Sequence, residues 1–451
     1  MIHIHENGIT VVATNEAKRG KVYELNGEKY YIARGVADIK KIVDSGEYPL
    51  NRVITSKLTS LNYLFQIRGG WQNKAVPDNF NDEITNWDTS NVLSMEEVFS
   101  GWPTFNQDIS NWDTSRVESM HGMFKSSKYV GNYHMGDTSF NQDISKWDVR
   151  NVKNMSEMFL GATSFNQDIS NWNVSNVTDM DHMFSGATSF NQPIGNWDTS
   201  SVESMRGIFS DVVSIGIVAF VGTYDYTKAG TTSFNQDISN WDVSNVKNMS
   251  NMFSGATSFN QDISNWDVSD AETISNMFQG ATSFNQPIGN WDVSNVTDMD
   301  HMFSGTTSFN QPIGNWDTSS VKNMCYMFLG ATCFNQPIGN WDVSNVDNMS
   351  EMFSGATSFN QDISSWNVSN VTQMKGLFQD ATSFNQNIRN WKINEELPKS
   401  RTIFKGAEAF NIKEYNPFLN KITKERNVDT STANLSPDEK RTFSKIKKLI
   451  V

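Results

Sequence analysis

The sequence predicts an α/β repeat solenoid in which every coil contains a short parallel strand and a short helix. One tryptophan returns at a nearly fixed interval, and nine of the eleven intervals between these tryptophans are 25 residues. Fixed self-similarity of this length indicates repeats that bury their apolar faces against their neighbours. The tryptophans that we expect in the core are Trp87, Trp112, Trp147, Trp172, Trp197, Trp241, Trp266, Trp291, Trp316, Trp341, Trp366 and Trp391.

Residues 1–50 differ from the repeats and predict an N-terminal capping module. The segments GITVVAT and KVYELNGEKYYIA alternate as strands do, and Asn26-Gly27 is a strong hairpin-turn signal. Val36, Ile39 and Ile42 then follow at helical spacing. A cap is expected because the open end of a solenoid exposes apolar surface and unpaired strand edges.

Residues 51–410 predict the solenoid, with about 12–13 repeats of 25 residues. In residues 284–309, Val296, Met299 and Met302 lie at the spacing of one helical face. Trp291 and Val293 alternate with polar residues, as in a strand with one buried side. Each repeat should therefore contain one strand followed by one short helix.

Residues 411–451 form a basic C-terminal segment, which we interpret as a cap or a tail. It carries nine Lys and Arg against five Asp and Glu. Ser436 and Pro437 are typical of the start of a helix.

Charge and composition exclude several classes of partner. The formal net charge is −14, and because the N-terminal module is neutral and the C-terminal segment is +4, residues 51–410 carry −18. Such acidity argues against a nucleic-acid partner, which requires a basic surface. We expect no cofactor and no metal, since the two cysteines, Cys325 and Cys333, fit neither a metal cluster nor a disulfide framework. The start MIHIHENGIT does not resemble a secretory signal, and no apolar run is long enough for a transmembrane segment.

The phrases SFNQDISNWDVSNVKNMSNMF (233–253) and SFNQDISSWNVSNVTQMKGLF (358–378) resemble the BspA-like leucine-rich-repeat family, in its bacterial surface-protein branch of 26-residue repeats. The resemblance covers roughly residues 50–410. It implies leucine-rich-repeat-like right-handed coils, a location at the cell surface or outside the cell, and an adhesion-related role without catalysis. Members of this family usually carry an export signal.

The repeated polar residues offer three kinds of candidate chemistry. Carboxylates follow most of the core tryptophans and predict either local turn hydrogen bonds, which we favour, or calcium binding; they are Asp88, Asp113, Asp148, Asp198, Asp242, Asp267, Asp292, Asp317 and Asp342. A column of threonines, including Thr257 and Thr282, offers a weaker alternative, an ice-binding surface. His3 and His5 are a weak metal motif, and His182 and His301 occupy equivalent outward positions in two nearly identical repeats. No catalytic motif stands apart from the repeats, so we expect no enzyme.

Insertions interrupt the period near residues 66–74, 127–137 and 211–230, and insertions in repeat proteins map to loops that often bind partners. Aromatic residues in and near them are our candidates for contact with a partner: Trp71, Trp102, Tyr129, Tyr133, Tyr224 and Tyr226. The alternative is that these segments are tolerated loops.

The function that we expect is an adhesion-type surface protein that presents an elongated solenoid to a protein or glycan partner. A second candidate is a structural component of a phage, virion or secretion-type assembly, with a particle-associated or cytoplasmic location. The sequence leaves the oligomeric state open.

Overall fold

The computed structural model describes residues 1–66, 83–126, 138–211, 232–394, 397 and 402–418. The predicted C-terminal helix near Ser436 lies outside these residues.

The N-terminal module contains the strands and the helix that the sequence predicts. Strand β1 (Ile2–Ile4) pairs antiparallel with β2 (Val11–Ala13), and β3 (Val22–Leu25) forms a hairpin with β4 (Glu28–Ile32). Asn26 and Gly27 have φ values of 54° and 80°, the left-handed pair that a two-residue hairpin turn requires. Helix α1 (Val36–Ser45) buries Ile39 and Ile42 and ends at Gly46, with φ of 63°. A 3₁₀ turn (Leu50–Arg52) leads into β5 (Val53–Ile54), which pairs parallel with β4.

This module packs directly on the first complete repeat. The indole Nε1 of Trp87 donates a hydrogen bond to the Leu50 carbonyl over 2.9 Å. The Thr55 hydroxyl donates to the Asp88 carbonyl, also over 2.9 Å. Leu50 and Val53 belong to the same buried core as Trp87. The end of the module thus supplies the contacts that a preceding repeat supplies elsewhere.

The repeats differ from the prediction in their local structure. Among the described residues of the repeats, none lies in an α-helix before residue 412, and the only ladder is one parallel bridge between each pair of neighbouring repeats, as between Asp298 and Asn323. The predicted helix around residues 296–303 is wrong, because alternate backbone N–H groups from Met299 to Phe303 donate to the next repeat and not to the residue four positions earlier. Met299 donates to the Asn323 carbonyl over 3.1 Å and Phe303 to the Met327 carbonyl over 2.9 Å.

The predicted strand around Trp291 is also wrong. The Trp291 N–H donates to the Ile288 carbonyl over 3.2 Å, and the Val296 N–H donates to the Val293 carbonyl over 2.9 Å. Both bonds close tight turns of four residues. Successive tight turns alternate exposed and buried side chains. The spacing of apolar residues in the sequence cannot distinguish this alternation from that of a strand or a helical face, which is why both the predicted strand and the predicted helix are wrong.

One continuous apolar core runs through all the described repeats, from Ala33 to Phe410. Equivalent rings stack from repeat to repeat: Phe303 and Phe328 lie 5.6 Å apart, and Trp316 and Trp341 lie 6.2 Å apart with an interplanar angle of 4°. The indole of Trp316 also donates a hydrogen bond to the Ile288 carbonyl of the preceding repeat over 3.1 Å. Each repeat therefore completes the core of its neighbour.

A second column of hydrogen bonds joins the turns that carry the FNQ phrase. The Asn310 side-chain oxygen accepts from the Asn335 N–H over 2.9 Å and from the Gln336 amide over 3.0 Å. The same Gln336 amide donates to the Asn310 carbonyl over 3.0 Å. The pattern extends to Asn411, which bonds Asn385 over 3.0 Å just before the short helix α2 (Ile412–Tyr415).

Candidate binding face

One position of the repeat combines variable side chains with an unusual backbone. It lies ten residues after each core tryptophan and has a positive φ in every described repeat between residues 83 and 394. We call this set, with Tyr63 of the degenerate first repeat, the left-handed column: Tyr63, Glu97, Gly122, Glu157, His182, Gly207, Asn251, Asn276, His301, Tyr326, Glu351 and Gly376.

The backbone of the left-handed column is fixed by the stacking of the repeats. At φ of 54°, His301 directs its N–H to the Cys325 carbonyl of the next repeat over 2.9 Å. Glycine and asparagine tolerate this conformation, whereas other residues pay about 1–2 kcal/mol for it. Glu, His and Tyr nevertheless occupy much of the column. Residues held in such strained conformations cluster at functional sites.

The sequence contained a signal for this column that periodicity did not use. Gly122, Gly207 and Gly376 stand where other repeats carry large polar or aromatic residues. Exchange between glycine and such residues at one position is typical of a left-handed turn. Each glycine also makes room for the preceding repeat: a Cβ atom on Gly122 would lie 2.9 Å from Cγ of Glu97, and one on Gly207 would lie 2.4 Å from Nδ1 of His182.

Two of the insertions are flanked by phenylalanines of the core. Phe209 and Phe234 flank one insertion and stack with ring centroids 3.8 Å apart, as Phe124 and Phe140 do around another. Phe303 and the nearby Phe309, with no insertion between them, lie 4.1 Å apart. The core is thus the same with and without an insertion, and the inserted segments begin within a few residues of the left-handed column.

The aromatic residues predicted to contact a partner have different outcomes. Trp102 is wrong as a surface residue, because only 2% of it is exposed. Its ring packs 5.4 Å from Phe65 and 5.2 Å from Phe105, so it fills the core of the first repeats. The other candidates lie outside the described residues, and no structure is assigned to them: Trp71, Tyr129, Tyr133, Tyr224 and Tyr226.

Charged side chains are dense along the N-terminal third of the left-handed column. His121 Nε2 lies 3.9 Å from a Glu97 oxygen and 4.0 Å from a Glu157 oxygen. Lys125 forms an ion pair with Glu157. Burial raises the pKa of Glu157, but the hydrogen bond and charge of Lys125 outweigh it, and the net pKa is lowered. This cluster therefore brings charges of both signs together at the junction of three repeats.

In the next part of the left-handed column, Asp181 forms an ion pair and His182 lies against a glycine. Arg206, from the following repeat, places Nε 3.3 Å from an Asp181 oxygen, and its backbone N–H donates to the same carboxylate over 2.9 Å. The His182 ring lies over Gly207. Burial, followed by the charge of Arg206, lowers the pKa of His182.

Asp300 and His301 repeat this arrangement near the C-terminal end, but without the arginine. His301 Nδ1 lies 2.9 Å from an Asp300 oxygen, and its ring stacks on Tyr326 with centroids 4.4 Å apart. The residue equivalent to Arg206 is Cys325, which is buried. Burial, with smaller contributions from Asp300 and Asp298, raises the pKa of the Cys325 thiol to about 12.

The carboxylates that follow the tryptophans make the local turn bonds that we favoured. Asp292 accepts from the Ser294 N–H over 3.0 Å, and Asp267 accepts from the Ser269 N–H over 3.0 Å. Hydrogen bonds from the Ser269 side chain and backbone lower the pKa of Asp267. Asn367, at the same position, makes the equivalent bond over 3.3 Å. The turn therefore accounts for Asp and Asn alike without an ion.

The threonine column and the N-terminal histidines lie elsewhere. Thr357 donates its hydroxyl to the Thr332 carbonyl over 3.4 Å, a bond between neighbouring turns. His3 and His5 are exposed at the first strand. The His5 ring accepts from the Asn7 N–H over 3.3 Å.

A family model described as "Mycoplasma protein of unknown function, DUF285" matches the chain at residues 45–135, 130–216, 219–313 and 298–417. No curated protein and no solved structure matches it significantly. Within the described part of the chain, no helix has the length and apolar character needed to cross a membrane.

Proposed function

The chain belongs to the DUF285 family of Mycoplasma proteins, and we propose that it is a non-enzymatic binding protein whose left-handed column and adjacent insertions contact a protein or glycan partner. The stacked repeats form a solenoid of the BspA-like leucine-rich-repeat type. The proposed location is the cell surface, where such a protein serves in adhesion.

The observation that carries this proposal is the contrast between two sides of the same repeat. The FNQ side has nearly the same side chains and the same hydrogen bonds from Asn141 to Asn385. The left-handed column changes between acidic, aromatic, amide, imidazole and glycine at almost every step. A uniform surface carries little information with which to select one partner, whereas a varied surface of charged and aromatic groups provides specificity.

The strain in the column supports the same assignment. Asparagine at Asn251 and Asn276 shows that the fold accepts a residue better suited to φ near 60°. Glu97, His182 and Glu351 adopt the same positive φ, although glutamate and histidine are less favourable there than asparagine. Side chains that cost stability and leave the core unchanged are expected to serve contact with a partner.

The proposal is tested with two variants of the full chain on immobilised glycan and protein arrays. The face variant carries Tyr63→Asn, Glu97→Asn, His182→Asn and Glu351→Asn, and so copies the residue found at Asn251. The control variant carries Asp168→Asn and Asp262→Asn on the FNQ side, where Asn387 already makes the same turn bond over 3.2 Å. Both variants remove two negative charges, so a general charge effect is matched.

We expect the unsubstituted chain to bind a small set of array components, the control variant to bind them equally, and the face variant to lose at least about tenfold in affinity, since one or more contact residues each contribute over 1 kcal/mol. Absence of any specific binding by the unsubstituted chain contradicts the proposal. So does loss of binding by the control variant together with full binding by the face variant.

A further inference from the structure

Three metal-ligating side chains meet where two repeats stack on the variable side of the chain. One ligand atom from each of Asp300, His301 and Cys325 lies within 4.8 Å of the other two. Asp300 and His301 are consecutive residues of one repeat, and Cys325 comes from the next. The cysteine is buried, while the other two side chains are partly exposed. The cluster is therefore partly shielded from solvent and partly accessible to it.

A nearly identical repeat in the same chain shows what this site lacks. Asp181 and His182 correspond to Asp300 and His301, and Arg206 stands where Cys325 stands. Arg206 brings a positive charge to 3.3 Å from the Asp181 carboxylate. Cys325 brings no positive charge to Asp300, but it adds a sulfur ligand.

The orientation of the imidazole is already fixed. The His301 ring is stacked on Tyr326 with centroids 4.4 Å apart, and its Nδ1 is directed at the Asp300 carboxylate over 2.9 Å. A separation near 3 Å between nitrogen and oxygen is close to that of two ligands on one small metal ion, whose bonds are about 2.0–2.2 Å long. Since the sulfur lies within 4.8 Å of both atoms, it has to approach them by no more than about 1 Å to complete the site.

We propose that Asp300, His301 and Cys325 bind a zinc ion, through one carboxylate oxygen, one imidazole nitrogen and the thiolate sulfur. Zinc accepts this mixture of oxygen, nitrogen and sulfur ligands, and water occupies the fourth tetrahedral position on the exposed side. Binding releases the thiol proton to solvent. The ion supplies to Asp300 the positive charge that Arg206 supplies to Asp181. The site is independent of the proposed partner, because zinc binding is measurable on the isolated chain.

Cobalt and zinc titrations of the full chain test this proposal. All proteins in this test carry His3→Ala and His5→Ala, so that the N-terminal histidines do not contribute. The chain with these two substitutions alone is the parent. Cys325→Ser copies Ser156, Ser250, Ser275 and Ser350 of other repeats, and Cys325→Arg copies Arg206, so both should fold. Cys333→Ser, at the exposed second cysteine, is the matched control. Far-ultraviolet circular dichroism verifies the fold of each variant.

We expect one equivalent of cobalt to produce a thiolate-to-cobalt charge-transfer band in the parent and in Cys333→Ser, and zinc to displace it. The band should be absent in Cys325→Ser and Cys325→Arg, with zinc affinity reduced at least about tenfold. Zinc should also slow alkylation of Cys325 in the parent. Absence of the band in the parent overturns the proposal. So does a band that persists in Cys325→Ser, or equal zinc affinity in Cys325→Ser and the parent.

Discussion

Replacement of Trp316 by phenylalanine tests whether the tryptophan column holds neighbouring repeats together. Trp316 is 3% exposed, and its indole donates to the Ile288 carbonyl over 3.1 Å. Phenylalanine keeps an aromatic ring between Phe303 and Trp341 but removes this donor. The Ile288 carbonyl keeps its bond from the Trp291 N–H, so the substitution costs the net contribution of one hydrogen bond, about 0.5–1.5 kcal/mol. The smaller ring costs about a further 1 kcal/mol in lost burial. We therefore expect local destabilisation of about 1.5–2.5 kcal/mol.

Hydrogen exchange read by mass spectrometry is the appropriate assay, because a repeat array need not unfold in a single step. Peptides that cover residues 288–320 should exchange faster in Trp316→Phe, and peptides from repeats near Trp172 should be unchanged. Ile288→Val is the matched control, since it trims a buried side chain of the residue that accepts the bond and leaves the hydrogen bond intact; it should cost about 0.5–1.5 kcal/mol. Equal effects of the two substitutions would refute the importance of the indole hydrogen bond.

Two further predictions concern the variable side of the chain. Burial and Arg206 lower the pKa of His182 in the folded chain, so the unfolded chain takes up a proton first as pH falls below about 6.5, and the free energy of unfolding decreases. In denaturant titrations between pH 7 and 5, His182→Asn should remove this loss of stability. An unchanged pH dependence would show that His182 is not its source. Deletion of residues 212–230 restores the interval of 25 residues between Trp197 and Trp241. Since Phe209 and Phe234 already stack at 3.8 Å, the thermal midpoint should change by no more than about 4 °C, which corresponds to about 1 kcal/mol for a large domain, while binding on the arrays is lost. Unfolding of the deletion variant, or full binding by it, contradicts this prediction.

The repeat, the buried tryptophans and the N-terminal hairpin could be predicted because each depends on one strong local signal. The period identifies equivalent positions, and the Asn26-Gly27 pair fits few conformations other than a hairpin turn. The local structure of the repeat could not be predicted in this way. The spacing of Val296, Met299 and Met302 fits a helical face. The N–H groups of Met299 and Phe303, however, donate to the next copy of the repeat.

The candidate site was predicted only in part for the same reason. The equivalence of His182 and His301 followed from the pattern, but their partial burial and the positive φ that they share depend on the stacking of neighbouring repeats. The irregular segment around Trp102 favours a surface position for it, yet Trp102 replaces a small residue of the later repeats and fills the space beside Phe65 and Phe105. The meeting of Asp300 with Cys325 likewise depends on the stacking of two repeats.

The central claim is that the residues of the left-handed column lower the free energy of unfolding but provide contact with a partner, while the rest of the repeat is scaffold. The most direct test measures stability and binding together on the face variant, Tyr63→Asn, Glu97→Asn, His182→Asn and Glu351→Asn. Relief of about 1 kcal/mol of strain per residue predicts an unfolding free energy equal to or above that of the unsubstituted chain, together with lost binding. A loss of stability of more than about 2 kcal/mol, or binding that is retained, would contradict the claim and make these residues part of the scaffold.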